Sequence, residues 1–250
     1  MEWLLIVVPF IASLLTFFSG FGLGTLLTPV FLYFFPLELA IGMTAFVHLS
    51  NNAFKMLLLR KDVDVKVFLP FALVAIPFAI FGAWLMGVLS DSQSISLSSN
   101  WSVKPLSMIV GLLMIAFTAL DFWPAWNRIE WKGKLFYFGG VFSGFFGGLS
   151  GHQGALRSLF LKKLHLNPSA FVATGTAVAI LIDLGRLPVY IGHWDLSIWP
   201  WKHILMATLS AMIGALLGKR LLKKVSIDQL HSLVGLFIVL TGIALIAGWI

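Results

Sequence analysis

The sequence contains no cysteine, which excludes a disulfide framework, a thiolate metal cluster and a thiol nucleophile. Charge is scarce as well: Asp, Glu, Lys and Arg make up 11% of the 250 residues, against roughly 25% in soluble domains. Acidic residues are the rarest charged class, 10 against 17 Lys and Arg. Long polar stretches are few, so there is no room for a large aqueous catalytic or binding domain. What remains is apolar, 59% hydrophobic side chains with a mean hydropathy of +0.97. At about 20 apolar residues per spanning helix, the chain can hold on the order of eight to ten membrane segments. The net charge of +7 does not point to nucleic acid, because the basic residues are scattered over short loops. Met1-Glu2-Trp3 offers no basic leader, and no small-residue cleavage site follows, so the first apolar segment is read as part of the mature protein.

Ten apolar blocks can be marked: 3–18, 25–35, 38–59, 67–89, 104–120, 134–147, 153–161, 169–189, 198–218 and 229–249. The pairs 3–18/25–35 and 134–147/153–161 are each interrupted by a Gly/Ser-rich break. Each pair is either one kinked span or a hairpin of short or re-entrant helices. Lys and Arg collect in short cytoplasmic loops, and 12 of the 17 lie in four loops: Arg60, Lys61 and Lys66; Arg128, Lys132 and Lys134; Lys162 and Lys163; Lys219, Arg220, Lys223 and Lys224. Hairpins put all four loops on the cytoplasmic side and both termini outside, whereas single crossings split them. The hairpin reading is preferred.

The halves resemble each other. Ser19-Gly20-Phe21 returns as Ser143-Gly144-Phe145, Thr44-Ala45 as Thr176-Ala177, Asp64 and Pro70 as Asp195 and Pro200, Gly82-Ala83 as Gly214-Ala215, and Val110-Gly111-Leu112 as Val234-Gly235-Leu236. Asn51 then falls opposite Asp183. The order is kept throughout, so the chain is read as one membrane transport domain, 1–250, of two repeats, 1–124 and 125–250. With hairpins each repeat has an odd number of passes and the second is inverted, a recurring architecture of secondary transporters. The expected fold is an all-α polytopic membrane protein with broken, glycine-rich helices.

Charged groups at bilayer depth cost about 2.5–3.5 kcal/mol on insertion scales, so each needs a partner or a use. Thr44, His48, Asn51, Asn52 and Lys55 recur at three and four residues, one helical face. This stripe either lines a substrate path or bonds helices together, with Lys55 close enough to the loop to snorkel. Thr176, Asp183 and Arg186 form a second stripe. Asp183 and Arg186 can pair at i, i+3, as a structural ion pair or as a holder for an oxyanion-binding fork. At the breaks, Gly20, Gly22, Gly24 and Thr25 precede one apolar helix, and Ser150, Gly151, His152, Gln153 and Gly154 precede the helix bearing Arg157. A helix that starts inside a membrane aims free N–H groups and its positive end at the break, an anion site; close helix packing is the plainer use of such glycines. His48, His152 and Asp183 can change charge and are the candidates for proton coupling.

The six histidines, at 48, 152, 165, 193, 203 and 231, lack metal-ligand spacing, and no phosphate loop, nucleophile elbow or acid/base carboxylate pair is present. No metal or cofactor is expected. A Ser150/His152 dyad would place nucleophile and base only two residues apart on a loop.

The run Ser19-Gly20-Phe21-Gly22-Leu23-Gly24-Thr25-Leu26-Leu27-Thr28-Pro29, then Ala40 to Ala45 and Asn51-Asn52, resembles the opening of the TauE/SafE sulfite exporter family. The second break, followed by Ala173-Thr174-Gly175-Thr176-Ala177 and the stretch from Asp183 to Tyr190, is similar to that family's second repeat, with Gly151-His152-Gln153-Gly154 where the family has a proline after its glycines. The resemblance implies a permease, not an enzyme, for export or uptake of sulfite, sulfonates or related small sulfur- or carbon-containing anions across the cytoplasmic membrane of a bacterium, with export the expected direction. An anion channel, an intramembrane enzyme and an assembly partner are the other readings. The expected partners are the anion and membrane lipid, with no nucleic acid; homo-oligomerisation is left open.

Overall fold

The computed structural model describes residues 2–19, 23–98, 101–123, 135–162, 164, 166–221 and 228–250. Among them are ten α-helices: α1 (Leu4–Ser19), α2 (Leu23–Leu32), α3 (Leu37–Leu59), α4 (Val65–Ser90), α5 (Pro105–Phe122), α6 (Leu135–Ser150), α7 (Gln153–Lys162), α8 (Pro168–His193), α9 (Trp201–Leu221) and α10 (Asp228–Ala247). Each coincides with one of the ten apolar blocks to within a few residues. A short hairpin between α4 and α5, β1 (Ile95–Ser98) with β2 (Trp101–Val103), has no counterpart in the hydropathy pattern because it lies in the polar connection.

Local chemistry sets the helix ends. Asp64 caps α4 by accepting from the Lys66 and Val67 amides at 3.0 and 3.3 Å. Asn167 caps α8 through the Ala170 amide at 2.8 Å, and Pro168 occupies the first turn, where no N–H partner is needed. Among the described residues three helices, Val65–Ser90, Pro168–His193 and Trp201–Arg220, are long and apolar enough to cross a membrane. Leu73, Phe81 and Trp84 on α4, Leu205 and Leu209 on α9, and Leu236 and Leu240 on α10 are exposed, an apolar surface suited to lipid rather than water.

Both broken elements are hairpins. The Ser143 hydroxyl donates to the Gln153 carbonyl at 3.0 Å, whereas ten residues of continuous helix would separate them by about 15 Å. Gly139 lies against the Phe160 ring, so α6 and α7 run antiparallel. At the other pair, Glu2 before α1 and Phe35 after α2 both reach His203, at 3.5 Å between Oε1 and Nε2 and 5.4 Å between rings. The chain thus leaves and returns to one face. That face also carries the Lys104–Glu38 and His193–Asp91 ion pairs and the C-terminal end of α10, where the Trp101 indole donates to the Ile246 carbonyl. On the opposite face Ser169 bonds Asp62 at 2.5 Å, and Lys219 donates to the Leu58 carbonyl at 3.1 Å. The loops bearing Arg60, Lys162 and Lys219 are therefore gathered at one end, as the charge pattern requires; Arg128, Lys132, Lys134, Lys163, Lys223 and Lys224 lie outside the described residues.

Each hairpin packs on a helix of the other half, α1 on α9 and α6 on α4. Glycine makes this possible. Gly140, Gly144 and Gly148 follow at four-residue intervals, and a Cβ on each would come within 2.9, 2.1 and 2.1 Å of the carbonyls of Phe71, Ala75 and Ala79. This is small-residue packing of the kind that brings membrane helices together. A Cβ on Gly214 would come as close to the Phe10 carbonyl, at 2.2 Å. Much of the glycine excess is thus spent on helix contacts rather than on breaks. The long helices α3 and α8 cross at the centre, with α2 and α7 laid against them.

Candidate functional site

α2 and α7 are ten residues each, about 15 Å long, half the hydrocarbon thickness. Their N-terminal ends meet inside the protein: a Cβ on Gly24 would lie 3.1 Å from the Gly151 carbonyl and 3.7 Å from the His48 ring. Gly151 ends α6 at φ +82°, a conformation that costs residues with a Cβ about 1–2 kcal/mol, and this single left-handed step reverses the chain into α7. Two helix N-termini with their positive dipole ends therefore face α3 and α8 at the molecular centre. Thr25 is buried in the first turn of α2, and Thr28 donates to the Gly24 carbonyl at 3.1 Å while lying 3.2 Å from the Thr44 hydroxyl. Gly20 and Gly22 lie outside the described residues.

Asp183 on α8 is the hub. Its Oδ2 is 2.7 Å from His48 Nδ1, and its Oδ1 accepts from Gln153 Nε2 at 2.8 Å and Arg186 Nε at 2.9 Å. Arg186, with no solvent exposure, also donates from Nη1 to the Gly147 carbonyl at 2.7 Å. Its Nη2 stands 2.7 Å from Asp183 Oδ1, an ion-pair distance, yet its hydrogens are not aligned on any acceptor. The Tyr190 hydroxyl donates to the Gly148 carbonyl, so the second glycine run is held by α8 through its carbonyls. The i, i+3 pair read from the sequence is present, and it holds Arg186 in place; little of the fork is left for a ligand.

Arg157 differs. It is 3% exposed, gives Nη1 to the neutral Gln153 Oε1 at 3.3 Å, and has an Nε with no partner, facing Gly175 of α8. Asn51 accepts from Ser13 of α1 at 3.1 Å, and its Nδ2 is likewise buried without a partner. Lys55 does not snorkel. It is 2% exposed, donates to the Thr16 hydroxyl of α1 and lies within electrostatic reach of Arg157. Buried charged side chains among the described residues are thus three cations, Lys55, Arg157 and Arg186, and one carboxylate, Asp183.

His152 is also enclosed, with Nδ1 2.9 Å from the Ser150 carbonyl and Nε2 without a partner. A carbonyl only accepts, so Nδ1 carries the proton. The Ser150 hydroxyl gives its own to the Phe146 carbonyl at 2.9 Å. The His152 ring does reach the Ser150 hydroxyl, Nδ1 to Oγ 3.2 Å, contrary to the expected steric bar, but it meets that hydroxyl with its protonated nitrogen and so offers it no base. The two polar stripes read from the sequence face each other in the structure; that reading missed Ser13 and Thr16, whose i, i+3 spacing on an otherwise apolar helix was the available signal, and the Gly147 carbonyl, for which there was none. No group of three or more metal-ligating side chains occurs among the described residues.

The family model described as sulfite exporter TauE/SafE matches residues 5–245. Neither a curated protein nor a solved structure matches the chain. The match takes in both hairpins, the crossing of α3 with α8 and every residue of the buried charged cluster, and so the chain is a multi-pass membrane protein that belongs to the TauE/SafE sulfite exporter family of transporters.

Proposed function

We propose that the protein is a secondary carrier that moves a small sulfur-containing oxyanion, sulfite or a sulfonate, across the cytoplasmic membrane of a bacterium by alternating access. One observation carries this reading: Arg157, 3% exposed, gives Nη1 to the neutral Gln153 amide and has an Nε without a partner, at a depth where an uncompensated charge is costly. An anion supplies the missing charge. Arg157 Nε and Asn51 Nδ2, buried donors without partners, are its proposed ligands. The α2 and α7 ends at Gly24, Thr25, Gly151 and Gln153 provide backbone N–H groups and dipoles, with Gly20 and Gly22 on the same break. Arg186 positions Asp183.

The pattern of packing supports two inverted repeats, 1–124 and 125–250, within a single transport domain. α1 rests on α9 as α6 rests on α4, α3 crosses α8, and α5 pairs with α10, so exchanging the halves reproduces the contacts. The His48–Asp183 bond joins the halves, and rocking one half against the other remakes it. The gathering of basic loops on one face supports a cytoplasmic placement of that face, with both termini outside. The inside-negative potential drives an anion outward at about 2.3 kcal/mol per charge per 100 mV, which supports export.

Proteoliposomes loaded with unlabelled sulfite and diluted into labelled sulfite test the proposal. A carrier gives saturable counterflow, lost in Arg157→Ala. Flux that rises linearly without counterflow identifies a channel, and no flux of sulfite or sulfonates overturns the substrate class.

A further inference from the structure

His48 occupies an unusual position in the cluster. It sits on α3, and the groups that face it come from two other helices: Asp183 and Arg186 of α8, and Gln153 and Arg157 of α7. Asn52 lies one turn along its own helix, and α2, which packs beside it at Gly24, brings no titratable side chain. Asp183 accepts from Nδ1, which fixes the tautomer with the proton on that nitrogen. Nε2 is then the acceptor, and the Asn52 amide nitrogen lies beside the ring, 3.3 Å from Nε2 and 3.1 Å from Nδ1. Rotation of that amide presents an oxygen instead of an NH₂ group. His48 can therefore take a second proton without breaking its bond to the carboxylate. Asp183 cannot do so as readily, because protonation would cost it one of the donors it holds from His48, Gln153 and Arg186. His152, the other enclosed imidazole, has a carbonyl and the Phe117 ring for neighbours, with no carboxylate to hold its charge.

The proton site and the anion site are joined by one side chain. Gln153 donates Nε2 to Asp183 and accepts at Oε1 from Arg157. An anion on Arg157 adds negative charge close to His48, and an imidazolium at His48 adds positive charge close to the anion. In an interior that screens poorly, each favours the other. Resting on the reading of the cluster as an anion site, we propose that His48 is the binding site of a coupling proton, linked through Gln153 to the anion on Arg157, so that the carrier is an anion–proton symporter. The translocated unit is one anion with one proton on the Nε2 of His48. For a dianion it moves as a single negative charge and keeps the outward drive of the potential; for a sulfonate monoanion it is neutral, and the anion and proton gradients alone set its direction.

The test uses purified full-length protein and two probes, sulfate and methanesulfonate, which do not titrate between pH 6 and 8. Tryptophan fluorescence measures affinity, and calorimetry in two buffers of different ionisation enthalpy counts protons. Binding about tenfold tighter at pH 6 than at pH 8, within the usual range of linked sites, with net proton uptake on binding, is expected of the unmodified chain. His48→Gln should bind with one affinity at both pH values, and His152→Gln should keep the pH dependence. Equal affinity at both pH values without proton uptake in the unmodified chain overturns the coupling while leaving the anion site standing. Retention of the full dependence in His48→Gln overturns the choice of residue. If neither probe binds at either pH, the anion site itself is wrong and the inference falls with it.

Discussion

Replacing Asp183 with asparagine changes the charge of the cluster while nearly keeping its shape. Asparagine Oδ1 can still accept from Gln153 and Arg186, now 2.8 and 2.9 Å from the carboxylate oxygen, and His48 can switch tautomer to accept from the new NH₂ group. What is lost is the only buried negative charge among the described residues. Arg186, wholly enclosed, retains the Gly147 carbonyl but no counter-charge. Breaking a buried ion pair by removing one partner costs about 3–5 kcal/mol, and that range is expected for Asp183→Asn. The double replacement Asp183→Asn/Arg186→Met removes both charges, and it should be less destabilised than the sum of the single variants by at least about 1 kcal/mol. Reversible unfolding by SDS in mixed micelles, followed by the fluorescence of the 10 tryptophans, gives both numbers. A single variant within about 0.5 kcal/mol of the unmodified protein, or strictly additive losses, would refute the assignment of Asp183 as the charge that holds Arg186.

Arg157→Ala should abolish counterflow yet leave stability unchanged or raised in the same unfolding assay, because it removes a buried cation that lacks a carboxylate and frees no other charge. Gly148→Ala places a Cβ 2.1 Å from the Ala79 carbonyl and is expected to cost about 1–3 kcal/mol or more by overpacking α6 against α4; Gly192→Ala, with nothing within 4 Å of the new atom, should be neutral or stabilising by up to about 1 kcal/mol. Gly151→Ala meets the left-handed backbone at φ +82° and should lose about 1–2 kcal/mol, with a parallel fall in counterflow if the reversal between α6 and α7 shapes the site.

The polar stripes were legible because a helix repeats every 3.6 residues and lipid tolerates few polar groups. Thr44, His48, Asn51 and Lys55 could only belong together. The glycine breaks were legible too, and so was the Asp183–Arg186 pair, one turn apart. Partners distant in sequence were not. Nothing in a one-dimensional pattern sets His48 against Asp183, 135 residues away, or turns Lys55 inward to Thr16 of α1 when a loop lies five residues beyond it. Gly140 and Gly144 lay inside an apolar block and Gly148 in the break beside it, and only the facing carbonyls of α4 reveal the three as one packing surface. Likewise two arginines of equal apparent promise were separated only by what surrounds them, a carboxylate at Arg186 and a neutral amide at Arg157.

The central claim is that an oxyanion occupies the buried cluster at Arg157, between the facing ends of α2 and α7. Selenite, the heavier analogue of sulfite, can be located by its anomalous scattering in crystals of the protein. The account predicts a selenium peak within hydrogen-bonding range of the Arg157 guanidinium and the Asn51 amide, absent from crystals of Arg157→Ala. Selenium bound only at the basic loops of the surface, under conditions where the reconstituted protein transports selenite, would contradict it.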